Sequence, residues 1–125
     1  ESNLDYAHGT GHGVGFFLDV HEGPQSITKI NKIKIKEGMI LSNEPGYYKR
    51  NSYGIRIENL VYVKKKNKNL YFENLTMVPI EKDLINFRLL SISEKNYLFK
   101  YHLDVYSKIS KYLKQDEKKW LSSFI

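Results

Sequence analysis

Cysteine is absent from the 125-residue chain, which excludes disulfides and thiolate-ligated metals and leans the protein towards a reducing compartment. No apolar run approaches the roughly 18 residues of a membrane-spanning helix. The opening Glu-Ser-Asn-Leu-Asp-Tyr has neither the basic start nor the apolar middle of a secretory signal, so a cytoplasmic location is expected. An initiator Met is also missing, and the most distinctive stretch follows at once. The chain is therefore expected to be a fragment of a longer protein. Acidic residues are outnumbered, 14 against 20 basic ones, for a net charge of +6. Such a balance can serve nucleic acid or an anionic membrane. However, the sequence has no RNP-like aromatic pattern and no zinc finger, and its lysines are spread along the whole chain. Neither a nucleic-acid nor a membrane partner is expected.

Hydrophobic residues make up 41% of the chain and aromatics 14%, enough for a core and too much for a disordered tail. The length suits one modest domain.

Three of the four histidines fall in residues 8–24, HGTGHGVGFFLDVHEGP, where Gly9, Gly11, Gly13 and Gly15 take alternate positions. Interior glycines cost a helix about 1 kcal/mol each relative to Ala. A strand tolerates the pattern and places His8, Thr10, His12, Val14 and Phe16 on one face. On a straight strand His8 and His12 would be roughly 13 Å apart, too far to share one ion. One metal ligand and one substrate-contacting histidine are expected. A glycine-rich loop with exposed histidines fits the same composition.

Downstream, Glu37-Gly38 signals a turn. Met39, Ile40 and Leu41 begin a buried strand that runs to Glu44, and Pro45-Gly46 suits the centre of a type II turn. Glu44 precedes a proline and is biased to an extended conformation. Residues 55–63, Ile-Arg-Ile-Glu-Asn-Leu-Val-Tyr-Val, read as one strand with Arg56 and Glu58 on the same face. Burying that pair is costly unless it is paired or bound to metal; a surface ion pair is the alternative. Residues 70–80 read as a further strand, ended by Pro79 and joined to the previous one by a solvated tip of Lys64, Lys65, Lys66 and Lys68. After residue 82 the period becomes helical. Ser91 and Glu94 fit a capping box. Leu98, Tyr101, Val105, Ile109, Tyr112 and Leu113 form one stripe, with His102 at its boundary. A shorter helix is expected around Asp116–Phe124, with Asp116 and Glu117 at its start and Trp120, Leu121 and Phe124 docking it.

The separated segments carry His12, Glu44 and Glu58. A nitrogen and oxygen donor set suits manganese, zinc, cobalt or iron(II), but three ligands are too few for two ions. The stretches His8–Pro24, Glu44-Pro-Gly-Tyr-Tyr48 and Gly54-Ile-Arg-Ile-Glu-Asn59 together resemble the pita-bread metallopeptidases. Within these they look most like the Xaa-Pro aminopeptidases (aminopeptidase P) of the large cytosolic type. The resemblance covers nearly the whole chain.

It implies an α+β fold: the C-terminal part of a pita-bread catalytic domain with a curved, mainly antiparallel sheet over residues 1–82, and a helical C-terminal extension over 83–125. It implies hydrolysis of the N-terminal Xaa-Pro bond of peptides by a dinuclear metal-activated water. Manganese is the usual metal of that family, with zinc or cobalt as alternatives, and the full-length protein is expected to be a homodimer. By resemblance His12 is a metal ligand, Glu44 a metal ligand and proton shuttle, and Glu58 the glutamate bridging both ions. His8 positions substrate and stabilises the transition state. His21 contacts the residue after the scissile bond, Tyr48 lines the proline pocket, and Arg56 stands beside the bridging glutamate. The family's two aspartate ligands lie upstream of the histidine motif, where only Glu1–Ala7 remain here, so the fragment alone is expected to be inactive. A non-catalytic homologue binding protein or nucleic acid, or an interaction domain using its basic face, are the rival readings.

Overall fold

A computed structural model describes residues 4–17 and 19–125. The chain divides into two compact units, the first ending at Thr76 and the second running Met77–Ile125. The family of folds read from the sequence, mixed α and β with antiparallel sheets and a C-terminal helical part, is the one observed.

The first unit is built from strands. β1 (Gly11–His12) pairs with β2 (Ser26–Ile27), and a bridge joins Gly13 to Leu41 of β3 (Ile40–Asn43). β3 pairs antiparallel with β6 (Asn59–Lys66), and β6 with β7 (Asn69–Asn74). A separate hairpin joins β4 (Gly46–Lys49) to β5 (Tyr53–Arg56). Alternation along β3 and β6 turns Leu41, Val61 and Val63 inward, and Ile27, Ile35 and Met39 close over them.

Several expectations change in this unit. The long histidine strand shrinks to β1, because beyond it the regular ladder gives way to single contacts such as Thr10 N–H to Ile27 O and the Gly13–Leu41 bridge. Gly46 does not complete a type II turn: that turn needs a left-handed backbone there, whereas Gly46 starts β4 opposite Arg56. Among the described glycines only Gly38, at the Glu37-Gly38 turn, is left-handed, with φ of 89°. The 55–63 strand breaks at Ile57 and Glu58, where the chain leaves β4 and enters the sheet of β3 and β7. The 70–80 strand stops at Asn74, and the Thr76 hydroxyl then accepts the Leu60 N–H at 2.8 Å. The expected lysine-rich tip is smaller than its run: Lys64, Lys65 and Lys66 pair within β6, and only Asn67 and Lys68 make the turn, with Asn67 supplying the left-handed residue at φ 57°.

The second unit is helical. α1 (Ile92–Ile109) starts with the full capping box of Ser91 and Glu94, and α2 (Gln115–Ser122) carries Asp116 and Glu117 in its first turn. Tyr101, Val105 and Leu121 form the core, with Met77, Ile80, Tyr106, Ile109 and Leu113 against them. Tyr112 is exposed because the helix tightens into a single 3₁₀ turn over Ser110–Tyr112. Leu121 docks α2; Trp120 stays largely exposed, edge-on to Phe124 at 5.2 Å. His102 is interior rather than at the boundary. Its Nδ1 donates to Phe124 O at 2.9 Å and its Nε2 accepts from Ile80 N at 3.1 Å. Both ring nitrogens are thus occupied within this unit.

Candidate metal centre

β1 and β3 lie unusually close. The Glu44 N–H donates to Thr10 O at 2.7 Å, and the Val14 N–H to Ile40 O at 3.4 Å. Only glycine fits between them at position 11, since a Cβ there would sit 1.9 Å from Ser42 O. This contact sets His12, on β1, beside Glu44, just beyond the end of β3.

The donor atoms converge. His12 Nδ1 lies 2.8 Å from Gly13 O. A carbonyl can only accept, so Nδ1 carries the proton and the neutral ring presents a bare lone pair at Nε2. That lone pair faces Glu44 Oε1 at 3.3 Å. At that separation the two atoms need a positive charge between them, a proton on Nε2 or a metal cation. Two donors each about 2.0–2.2 Å from one ion would themselves be about 3 Å apart at right-angled positions. The pair therefore fits a shared divalent ion. Glu44 is 9% exposed, so its charge is held away from bulk water and needs a partner. Arg56 Nη1 stands 3.4 Å from its Oε2.

His21 packs its ring on His12, with centroids 4.0 Å apart. His8 Nδ1 is bonded to Gly9 O at 2.7 Å and its Nε2 to the Tyr48 hydroxyl at 2.8 Å. Arg56 Nε donates to the same hydroxyl at 2.9 Å. That bond, with the negative charge available on Tyr48, Glu44 and Glu58, raises the Arg56 guanidinium above its ordinary pKa. His8, His12, His21, Glu44, Ser26 and Arg56 line one open cavity of about 430 Å³.

The structure thus gathers five of the seven sequence-predicted site residues in one cavity, with Tyr48 bonded to two of them. His8 and His12 line the same cavity, and the histidine stretch is not one straight strand. Glu58 is exposed and does not line that cavity. Among the described residues no group of three or more acidic or histidine side chains is drawn together tightly enough to hold a metal. Sequence reasoning missed Ser42, which is fully buried and bonded to Glu44. Its position two residues before Glu44 was the available signal, since alternate strand residues share a face. The bond between His8 and Tyr48 had no such signal.

Residues 1–65 match the model of metallopeptidase family M24, and residues 68–123 match that of the C-terminal region of peptidase_M24. A probable Xaa-Pro aminopeptidase P of Laccaria bicolor is 47% identical, over 97% of this chain and 21% of its own length. Xaa-Pro aminopeptidase 1 of Dictyostelium discoideum is 47% identical, over 85% of this chain and 18% of its own length. Among solved structures, the X-prolyl aminopeptidase of Caenorhabditis elegans, described as a cytosolic enzyme with a di-nuclear active site, superposes with a TM-score of 0.89. It is 39% identical, over 97% of this chain and 22% of that one. The chain spans about one fifth of the length of the curated relatives it matches.

Proposed function

The chain belongs to metallopeptidase family M24, and from that premise we propose that the protein it comes from is an Xaa-Pro aminopeptidase. It releases the N-terminal residue from peptides whose second residue is proline. The observation that carries this reading is the opposed His12 Nε2 and Glu44 Oε1, 3.3 Å apart, in a cavity that also holds His8 and His21. The relatives named for Xaa-Pro cleavage support the same substrate class.

His12 and Glu44 would hold the metal, and Glu58, outside the cavity in this structure, would join them as the bridging carboxylate of the complete site. Joined by further carboxylates from the rest of the protein, these nitrogen and oxygen donors would suit two divalent ions, manganese first, with zinc or cobalt as alternatives. The chemistry such a pair supplies when bound is activation of the attacking water near neutral pH. The chain's own residues do the rest. Glu44 would accept a proton at its carboxylate and pass it to the leaving nitrogen. His8, its ring fixed by Gly9 O and the Tyr48 hydroxyl, positions the substrate and stabilises the transition state on which charge develops. His21 contacts the residue after the scissile bond, and Tyr48 closes the proline pocket. Arg56, held by Tyr48 and Glu44, keeps the acidic side of the site compensated.

Residues 1–82 serve the catalytic domain and 83–125 extend it. The full-length protein works as a cytosolic homodimer, and residues 1–125 alone, with His12, Glu44 and Glu58 as the proposed donors, are inactive. The experiment is an assay of the full-length protein on Xaa-Pro peptides with manganese, repeated with Glu58→Gln. Metal-dependent turnover that collapses in the variant supports the reading; unchanged turnover rejects the bridging role. Tight binding of two manganese ions by residues 1–125 alone would reject the claim that the fragment is incomplete.

A further inference from the structure

Ser42 is 0% exposed and sits in β3 between the core residue Leu41 and Asn43. A buried hydroxyl is costly unless it is hydrogen-bonded. This one is bonded on both sides. It accepts the His12 backbone N–H at 2.9 Å and donates to Glu44 Oε1 at 2.9 Å. The first bond orders the second: with a lone pair committed to the His12 N–H, the hydroxyl proton is directed at the carboxylate. The oxygen receiving it is the one that lies 3.3 Å from His12 Nε2. A single side chain therefore spans the two donor residues, fixing the backbone of one and the carboxylate rotation of the other.

We infer that Ser42 is a positioning residue for the metal centre. Its hydroxyl sets the separation of His12 Nε2 and Glu44 Oε1 before any ion arrives, and leaves the free lone pair of Oε1 on the histidine side. The inference rests on the reading of His12 and Glu44 as ligands. Groups that orient ligands in this way are commonly worth about 10–100-fold in metal affinity. A structural serine of the β1–β3 contact would affect folding and leave affinity alone.

The test uses the full-length protein stripped of metal and titrated with manganese by calorimetry, alongside Ser42→Ala and Ser42→Thr. The thermal midpoint of each metal-free form is measured in parallel. Ser42→Ala is expected to lose about 10–100-fold in manganese affinity. Ser42→Thr, which keeps the hydroxyl, restores it. Equal affinity in Ser42→Ala and the parent, with only a lower metal-free midpoint, overturns the inference and leaves the ligand assignment standing. Failure of the parent itself to bind manganese overturns the ligand assignment instead. If Ser42→Ala does not fold, the metal-free crystal structure of the parent decides. Glu44 still bonded to Ser42 and facing His12 supports preorganisation, and a carboxylate turned away from Ser42 refutes it.

Discussion

His8 Nε2 and the Tyr48 hydroxyl, 40 residues apart in the chain, are bonded at 2.8 Å. Because His8 Nδ1 is committed to Gly9 O, the neutral ring can only accept at Nε2. Tyr48 therefore donates to His8 and takes the Arg56 Nε–H in return. The three side chains form a directed line into the cavity. Tyr48→Phe should break it while keeping the ring in place. We expect kcat of the full-length protein on an Xaa-Pro peptide to fall about tenfold, the worth of one lost hydrogen bond of about 1.4 kcal/mol. A change confined to KM would mean that Tyr48 acts only as a wall of the proline pocket.

Gly11→Ala should be severe. The added methyl would meet the Ser42 carbonyl at 1.9 Å, against backbone that cannot step aside without parting β1 from β3. The expected outcome is loss of manganese binding and a lowered thermal midpoint together, read by calorimetry and circular dichroism. Wild-type behaviour in both would show that the two strands are further apart than described.

Leu41 is 0% exposed and sits opposite Val61 in the β3–β6 ladder. Leu41→Ala leaves a cavity the surrounding strands cannot close, at a cost of about 2–5 kcal/mol. Urea unfolding of the full-length protein measures it, as a lower midpoint at unchanged slope.

The α1 capping box supplies a pH prediction. The Ser91 hydroxyl and N–H bond to the Glu94 carboxylate and hold it below its ordinary pKa of 4.5. A depressed carboxyl adds stability that is present above the ordinary value and is lost as pH falls through the folded one. The stability gap between the parent and Glu94→Gln should therefore be open at pH 6 and close in acid below about 4.5. A gap that stays constant with pH would show that the carboxylate charge plays no part in the cap.

Local signals carried what was legible in the sequence. The β6–β7 hairpin follows from period-two apolar residues flanking a polar tip, and α1 from a capping box and a helical stripe. Both are decided within a few neighbouring residues. The histidine stretch was less legible because its geometry is set from outside: β1 is two residues long and owes its place to β2 and β3. The same holds for the break at Ile57 and Glu58, where a change of sheet partner overrides a continuous β-branched pattern. In the site, His12 and Glu44 could be named from residue type and motif. Ser42 was harder to see: its place two residues before Glu44 puts both on one strand face, but the His12 N–H on its other side is brought there only by the fold. His102 read as a helix-boundary residue because its two acceptor and donor partners, Ile80 and Phe124, are 22 residues away on either side.

Leu41 and Ser42 are consecutive, one turned to the hydrocarbon interior and the other to His12 and Glu44, the proposed ligands. One peptide unit separates packing from the proposed coordination. A cavity or misfit introduced under the sheet will tilt that unit and be felt at the carboxylate, so variants with loosened interiors should leak their ions at temperatures where the chain is still folded. Substitutions far from any donor atom would then look, in an assay, like damage to the catalyst.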